Sequence, residues 1–241
     1  MTEPFPNAYT DAARAGAYAD LEFAGTYWLA FRDIPDLIAR HVTGTSALDF
    51  GCGAGRSTRF LQSQGFTTVG VDISSAMLAH ARVRDPSGTY LQVPDGDLSS
   101  LSRRRFDLVF CAYPFDNIAG QDRRVQLFRE LGELLGVEGR LINLVSSPAL
   151  YHHDWLSFSA REFPENPGAS DGEAVRVTIR EGADQRPVDD LYWTDASYRD
   201  TYAAAGLTLV ETHRPLGRGN DPHRWTTELT VSPWAIYVLR P

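Results

Sequence analysis

Eleven residues, Ala47 to Ser57, restrict what this chain can fold into more than any other stretch. An apolar run, Ala47-Leu48-Asp49-Phe50, breaks into Gly51-Cys52-Gly53-Ala54-Gly55, and Arg56-Ser57 then opens a helical pattern. Three glycines at alternate positions let the backbone turn sharply and bring bare peptide groups against a ligand. Downstream, strand and helix patterns alternate, which predicts a parallel sheet covered on both faces. The expected strands are 46–50, 68–72, 89–93, 106–112, 140–146 and 207–212, with closing strands at 225–231 and 234–239. Helices are expected over 56–64, from Ser74 or Ser75 to 84, over 122–135 and over 197–205.

The spacing of the turn narrows the ligand. A dinucleotide fingerprint counted from Gly51 needs a third glycine at position 56, and that position is Arg. The G-x-G-x-G present, with Asp49 two residues ahead of it, resembles motif I of the class I S-adenosylmethionine (SAM) dependent methyltransferases. That resemblance covers about residues 46–146 motif by motif and the C-terminal region in outline. It implies an α/β fold: a Rossmann-like, seven-stranded, mostly parallel sheet with helices on both faces and a last strand inserted antiparallel. It also implies SAM as cofactor, held by Asp49, Gly51, Cys52 and Gly53 at the turn. Asp72 and Ile73 end the second strand, where such a sheet places an acid on the ribose hydroxyls. Asp97 and Leu98 match the family's adenine-binding pair. Ala112-Tyr113-Pro114-Phe115 lacks the polar residue and second proline of the members that methylate base amines or a glutamine amide, so those acceptors are disfavoured.

Composition excludes other chemistry. All 23 basic residues are arginine, so a P-loop, a pyridoxal Schiff base and a lysine general base are ruled out. A net charge of −8 argues against a nucleic-acid partner. No run of 18 apolar residues exists, and Met1 to Pro6 carries neither basic residues nor an apolar core. No membrane segment and a cytoplasmic location are expected. Cys52 and Cys111 fall inside core elements, and no metal site is expected. The oligomeric state is left at monomer or homodimer.

The 241 residues suit one methyltransferase domain: a helical cap over about 1–42, a core over about 43–146 and 195–241, and an inserted lid over about 147–194. An insert this long between elements is commonly a functional lid. In it Val175, Val177 and Ile179 alternate with Arg176, Thr178 and Arg180, as in a half-buried strand. The resemblance to small-molecule methyltransferases implies that the aromatic cap contributes Tyr18 and Tyr27 to the cofactor site. Phe115, Asn117 and Trp155 are candidates to bind a small, flat, aromatic or heteroaromatic acceptor. His153 and Tyr113 are the candidate proton-transfer groups, with His152 and His213 behind them. Methyl transfer to O, N or C of such a molecule is the expected function. The alternatives are a non-catalytic SAM-binding regulatory module and a nicotinamide-dependent oxidoreductase.

Overall fold

A computed structural model describes residues 16, 17, 19–22, 24–181 and 184–241. Two helices, α1 (Gly25–Arg32) and α2 (Ile34–His41), precede β1 (Ser46–Phe50), α3 (Arg56–Ser63), β2 (Thr67–Asp72), α4 (Ser75–Arg84) and β3 (Thr89–Gln92). Then come β4 (Phe106–Ala112), α5 (Gln121–Glu133) and β5 (Leu135–Ser146). The insert carries β6 (Phe158–Ser159), β7 (Ala174–Ile179) and β8 (Val188–Leu191), after which follow α6 (Asp195–Ala204), β9 (Thr208–His213) and β10 (Trp234–Arg240).

The main sheet has the order β3-β2-β1-β4-β5-β10-β9. Every pairing from β3 to β5 is parallel, and β10 lies antiparallel between β5 and β9. Because side chains alternate across a strand, each central strand feeds two cores. Leu48, Phe50, Val109, Cys111 and Tyr237 face α5 and α6, where they pack with Phe128, Tyr198 and Tyr202. Ala47, Leu108, Phe110, Ile236 and Trp234 face the other way and pack with α1, α2 and the insert. A sheet covered on both faces needs such near-continuous apolar strands.

The expected helix boundaries hold to within a residue or two. α2 has Pro35 in its first turn, where a missing N–H costs nothing, and Arg40 and His41 in its last, where cations suit the helix dipole. Ser74 caps α4, its hydroxyl accepting the Met77 N–H at 3.2 Å. The fifth strand starts earlier than expected, at Leu135, but its register against β4 jumps from Leu135 to Arg140. The four residues between them, Gly136 to Gly139, lie within the strand as an irregularity of its register.

One expected strand is absent. Residues 225–231 form no strand, and Thr227–Leu229 is a short 3-10 turn. Trp225, Leu229 and Val231 alternate with Thr226, Glu228 and Thr230 as a strand would, but Glu228 decides the conformation: its fully buried carboxyl group accepts hydrogen bonds from Thr26 Oγ1, the Leu156 N–H, and the N–H and hydroxyl of Thr226. Only a tight turn brings those donors to one side chain. The insert folds as expected in part: β7 buries Val175, Val177 and Ile179 and pairs with β6 and β8 in a small antiparallel sheet. No helix among the described residues is long and apolar enough to cross a membrane.

Glu228→Ala takes the acceptor from Thr26 Oγ1 and the Leu156 N–H, at about 1–3 kcal/mol for each buried group stranded, whereas the two donors of exposed Thr226 can turn to water. Urea unfolding is expected to show a loss of at least ~2 kcal/mol; an unchanged midpoint would mean that the turn is held by other contacts.

Candidate active site

The site is built on the carboxyl ends of β1, β2 and β4. The N–H groups of Gly51 and Cys52 both bond to the Val71 carbonyl at 2.9 and 3.0 Å, so the turn leaves β1 pinned to β2. Gly51, Gly53 and Gly55 take φ values of 72°, 53° and 80°, the left-handed region that only glycine enters freely. At Gly53 there is a second reason for glycine. An added Cβ would sit 3.2 Å from Met77 Cε with no other atom of the described residues within 4 Å, so among them the position faces open space.

Two carboxyl groups hold this turn. Asp49 is fully buried, and its Oδ2 accepts hydrogen bonds from Ser57 Oγ at 2.7 Å and Thr58 Oγ1 at 2.6 Å, which ties β1 to the first turn of α3. Its Oδ1 has no partner among the described residues. Burial pushes this carboxyl up to about 6 despite the two hydroxyl donors. Asp72 accepts the Gly53 N–H at 2.8 Å and the Ser74 N–H at 2.8 Å, joining the glycine turn to the start of α4. Burial again raises its pKa. Beside it Ile73 is 47% exposed, a large apolar side chain left open next to a polar turn. Asp97 is exposed and bonds the Ser99 N–H, whereas the Leu98 side chain is buried.

Two small cavities of about 40 Å³ each lie at this end of the sheet. The first is walled by Gly51, Cys52, Gly53, Ala54, Arg56 and Ala112, with Ala19, Leu21 and Phe31 opposite. The second lies under the insert. Tyr27, Tyr113, Phe158 and Trp234 give it rings, and Asp116 and Asp190 give it two buried carboxyl groups. Tyr27 touches both regions: the Arg56 guanidinium lies 4.7 Å over its ring, and its edge meets Tyr113 at 6.0 Å. Tyr113 is the one non-glycine among the described residues with positive φ, at 69°. A tyrosine held there stores strain where β4 ends, as functional sites often do.

With this geometry the chain can be compared with known proteins. Residues 47–139 match a family model described as a methyltransferase domain. N-demethylindolmycin N-methyltransferase of Streptomyces griseus is 26% identical over 218 residues, 88% of this chain and 91% of the relative. A dTDP-3-amino-3,6-dideoxy-alpha-D-glucopyranose N,N-dimethyltransferase of Streptomyces fradiae is 36% identical over 92 residues, 37% of this chain and 35% of that one. An S-adenosylmethionine-dependent methyltransferase from Clostridium acetobutylicum shares the fold with a TM-score of 0.62 at 16% identity, covering 97% of this chain and 99% of that one. Residues 47–139 carry a methyltransferase domain, and the fold around it is the one that SAM-dependent methyltransferases share. The protein is an enzyme, a methyltransferase with SAM as the methyl donor, and the nicotinamide and non-catalytic alternatives fall away.

Several expected site residues of the methyltransferase stand elsewhere. Phe115 is fully buried and stacks on Phe128 at 3.8 Å in the α5 core, so it does not line the second cavity. Trp155 is fully buried too, its indole N–H on the Leu150 carbonyl at 2.9 Å, and it packs in the core beneath the insert. His152 and His153 are exposed on the insert, away from both cavities, because the 3-10 turn Pro148–Tyr151 buries Leu150 and Tyr151 instead. His213 pairs with Asp33 at 2.9 Å. Tyr27 lines the second cavity rather than the first, and Tyr18 lies outside the described residues. Tyr113 and Asn117 do line the second cavity. Sequence reasoning missed Asp190 and Trp234. The signal for Asp190 was Asp189-Asp190 in a short strand, where a two-residue period must turn one acid inward.

Tyr113→Gly and Tyr113→Ala remove the same ring, but only glycine relaxes the left-handed backbone. Denaturant unfolding is expected to find the glycine variant more stable by about 1–2 kcal/mol; equal stability would mean that the strain is absent. Asp49 gives a pH test. Its folded-state pKa is raised, so the fold holds a proton that the unfolded chain has released, and stability falls as pH rises from about 4 to about 6. Asp49→Asn is expected to flatten that decline by at most ~3 kcal/mol, read from urea midpoints at both ends of the window.

Proposed function

We propose that this enzyme transfers the methyl group of SAM to a nitrogen of a small metabolite. The observation that carries the reading is the ring-lined cavity closed over by the insert at the tip of β4, a place for a small head group and not for a strand of nucleic acid or a protein loop. Ligands of open α/β sheets sit beyond the carboxyl ends of the strands, which is where this cavity lies. Support for nitrogen comes from the relatives: the Streptomyces griseus enzyme, which aligns over most of the chain, and the Streptomyces fradiae enzyme are both named as N-methyltransferases.

In this reading Asp49, Gly51, Cys52, Gly53, Asp72, Ile73, Asp97 and Leu98 hold the donor. The residues fit such a ligand. Asp49 Oδ1 is buried without a partner, suited to a ligand's cationic amino group, and the open side of Gly53 lets the backbone approach. Asp72 uses one lone pair on each oxygen and keeps capacity for ribose hydroxyls. Exposed Ile73 offers apolar cover for a flat base. SAM supplies an already activated methyl group, so the protein's task is alignment and exclusion of water. Correct positioning of two reactants lowers a barrier by ~7–11 kcal/mol. Tyr27, Tyr113 and Trp234 are placed to align an acceptor, and the insert shields it.

SAM is expected to raise the melting temperature, corresponding to roughly 2.7 kcal/mol at a hundredfold excess over its dissociation constant. Gly53→Val is expected to abolish that shift while the protein still folds; normal SAM affinity in the folded variant would remove the turn from the donor site. Incubation with isotope-labelled SAM and a panel of small amines should give N-methyl products by NMR. Methyl found only on oxygen or carbon would overturn the nitrogen assignment.

A further inference from the structure

Asp116 and Asp190 set the acceptor cavity apart from an ordinary aromatic pocket. Asp116 follows β4 and accepts the Ser146 N–H at 3.1 Å and hydroxyl at 2.8 Å, with Tyr198 Oη at 3.4 Å. Asp190 begins the buried half of β8 and accepts the Tyr151 hydroxyl at 3.0 Å. Both line the cavity and both are buried. Neither forms an ion pair among the described residues, although this chain has 23 arginines and uses them freely elsewhere. Arg124 acts on Asp116 through space and packs its guanidinium on Trp193 and Tyr198 instead. Two neighbouring buried carboxyl groups without a counter-ion are costly in a fold that does not use them.

The rest of the cavity suits the missing charge. Tyr27, Tyr113, Phe158 and Trp234 present aromatic rings, which attract a cation at their faces. A volume of about 40 Å³ admits a head group little larger than water, and half-buried Asn117 and Val188 mark the rim from which the remainder of a molecule can extend.

We propose that Asp190, with Asp116 beside it, binds the acceptor as an ammonium cation and takes the proton that its nitrogen must lose before it can be methylated. The proposal rests on the nitrogen-acceptor reading above and names the acceptor class: a basic aliphatic amine. Such an amine is almost wholly protonated near neutral pH, since an alkylammonium titrates at about 10. The carboxylate of Asp190 takes one N–H proton and leaves the nitrogen with a free electron pair. That pair forms the new N–CH₃ bond as the S–CH₃ bond breaks, its electrons staying on sulfur, so positive charge passes from sulfonium to nitrogen. The proton on Asp190 leaves to water once the product departs. Burial first, and then the charge of Asp116, raise the pKa of Asp190 above the usual carboxylate range. That shift makes it a stronger base than an exposed carboxylate. The other titratable or charged groups around the pair are Tyr151, Asp189, Tyr198 and Arg124.

The test is calorimetric binding of benzylamine and 2-phenylethylamine, each against its alcohol isostere, with S-adenosylhomocysteine saturating and pH varied from about 6 to 9. Wild type is expected to prefer the amines by at least roughly tenfold. Asp190→Asn, which can still accept the Tyr151 hydroxyl, is expected to lose that preference and keep its affinity for S-adenosylhomocysteine. It should also melt no lower than wild type at alkaline pH. The sign follows from the raised pKa: the ligand-free fold retains a proton that the unfolded chain has released, so wild type loses stability as pH rises and the variant does not. Equal binding of amine and alcohol, no binding of either, or an unchanged preference in Asp190→Asn would each overturn the proposal. So would a variant that melts early and loses both ligands, because Asp190 would then merely fasten the insert. N-methylation persisting in Asp190→Asn with an unchanged amine preference would sink this inference and leave the nitrogen reading intact. Methyl found on oxygen, with the amine preference abolished by Asp190→Asn, would overturn the nitrogen reading and the proton transfer together and leave only the ammonium-binding role of Asp190.

Discussion

The hydrogen bonds that Asp49 and Asp72 make around the glycine turn are the constraint on which the rest of the site depends. A turn built from Gly51, Gly53 and Gly55 has little conformational preference of its own, and its peptide groups must stay open to a ligand rather than satisfy one another. Asp49 fixes the turn from below through Ser57 and Thr58, and Asp72 fixes it from the side through the Gly53 N–H. Both carboxyl groups pay for this by losing water, which is why burial raises their pKa values. These bonds lie wholly within the protein and fix the turn without help from a ligand, so less ordering remains to be done on binding.

The antiparallel β10 does for the cavity under the insert what the glycine turn does for the cavity beside it. Had it run parallel to its neighbours, Trp234 would lie at the far end of the sheet. Because it runs against them, Trp234 pairs with Ser146 at the carboxyl tip of β5 and reaches the cavity under the insert. Its indole N–H also reaches the Thr26 carbonyl at 2.8 Å, which joins α1 to the same place. Leader, insert and last strand thus converge on one spot although they are far apart in the chain.

Much of the fold was legible in the sequence because its signals are local. Glycine spacing, the strand-helix alternation from Ser46 and the two-residue period over Val175, Val177 and Ile179 each act within a few residues. The failures came where a residue's role depends on distant partners. Thr226 to Val231 alternates like a strand, yet Glu228 collects donors from Thr26 and Leu156 and closes it into a turn. Phe115 and Trp155 looked like acceptor-binding rings, but an aromatic side chain serves a core and a cavity equally well, and only packing on Phe128 or under Leu150 decides between them. The meeting of Asp116 with Asp190 is carried by the insert's return to the sheet, which no local pattern encodes.

Tyr27 stands between the two cavities, with Arg56 of the first over its face and Tyr113 of the second at its edge. In the proposed reading a ligand in either cavity presses on the same ring, so the two half-sites are not energetically independent. Linkage makes such coupling reciprocal: whatever factor donor occupancy contributes to acceptor affinity, acceptor occupancy returns to the donor. On that reading one tyrosine of α1 joins two neighbouring pockets into one cooperative binding unit.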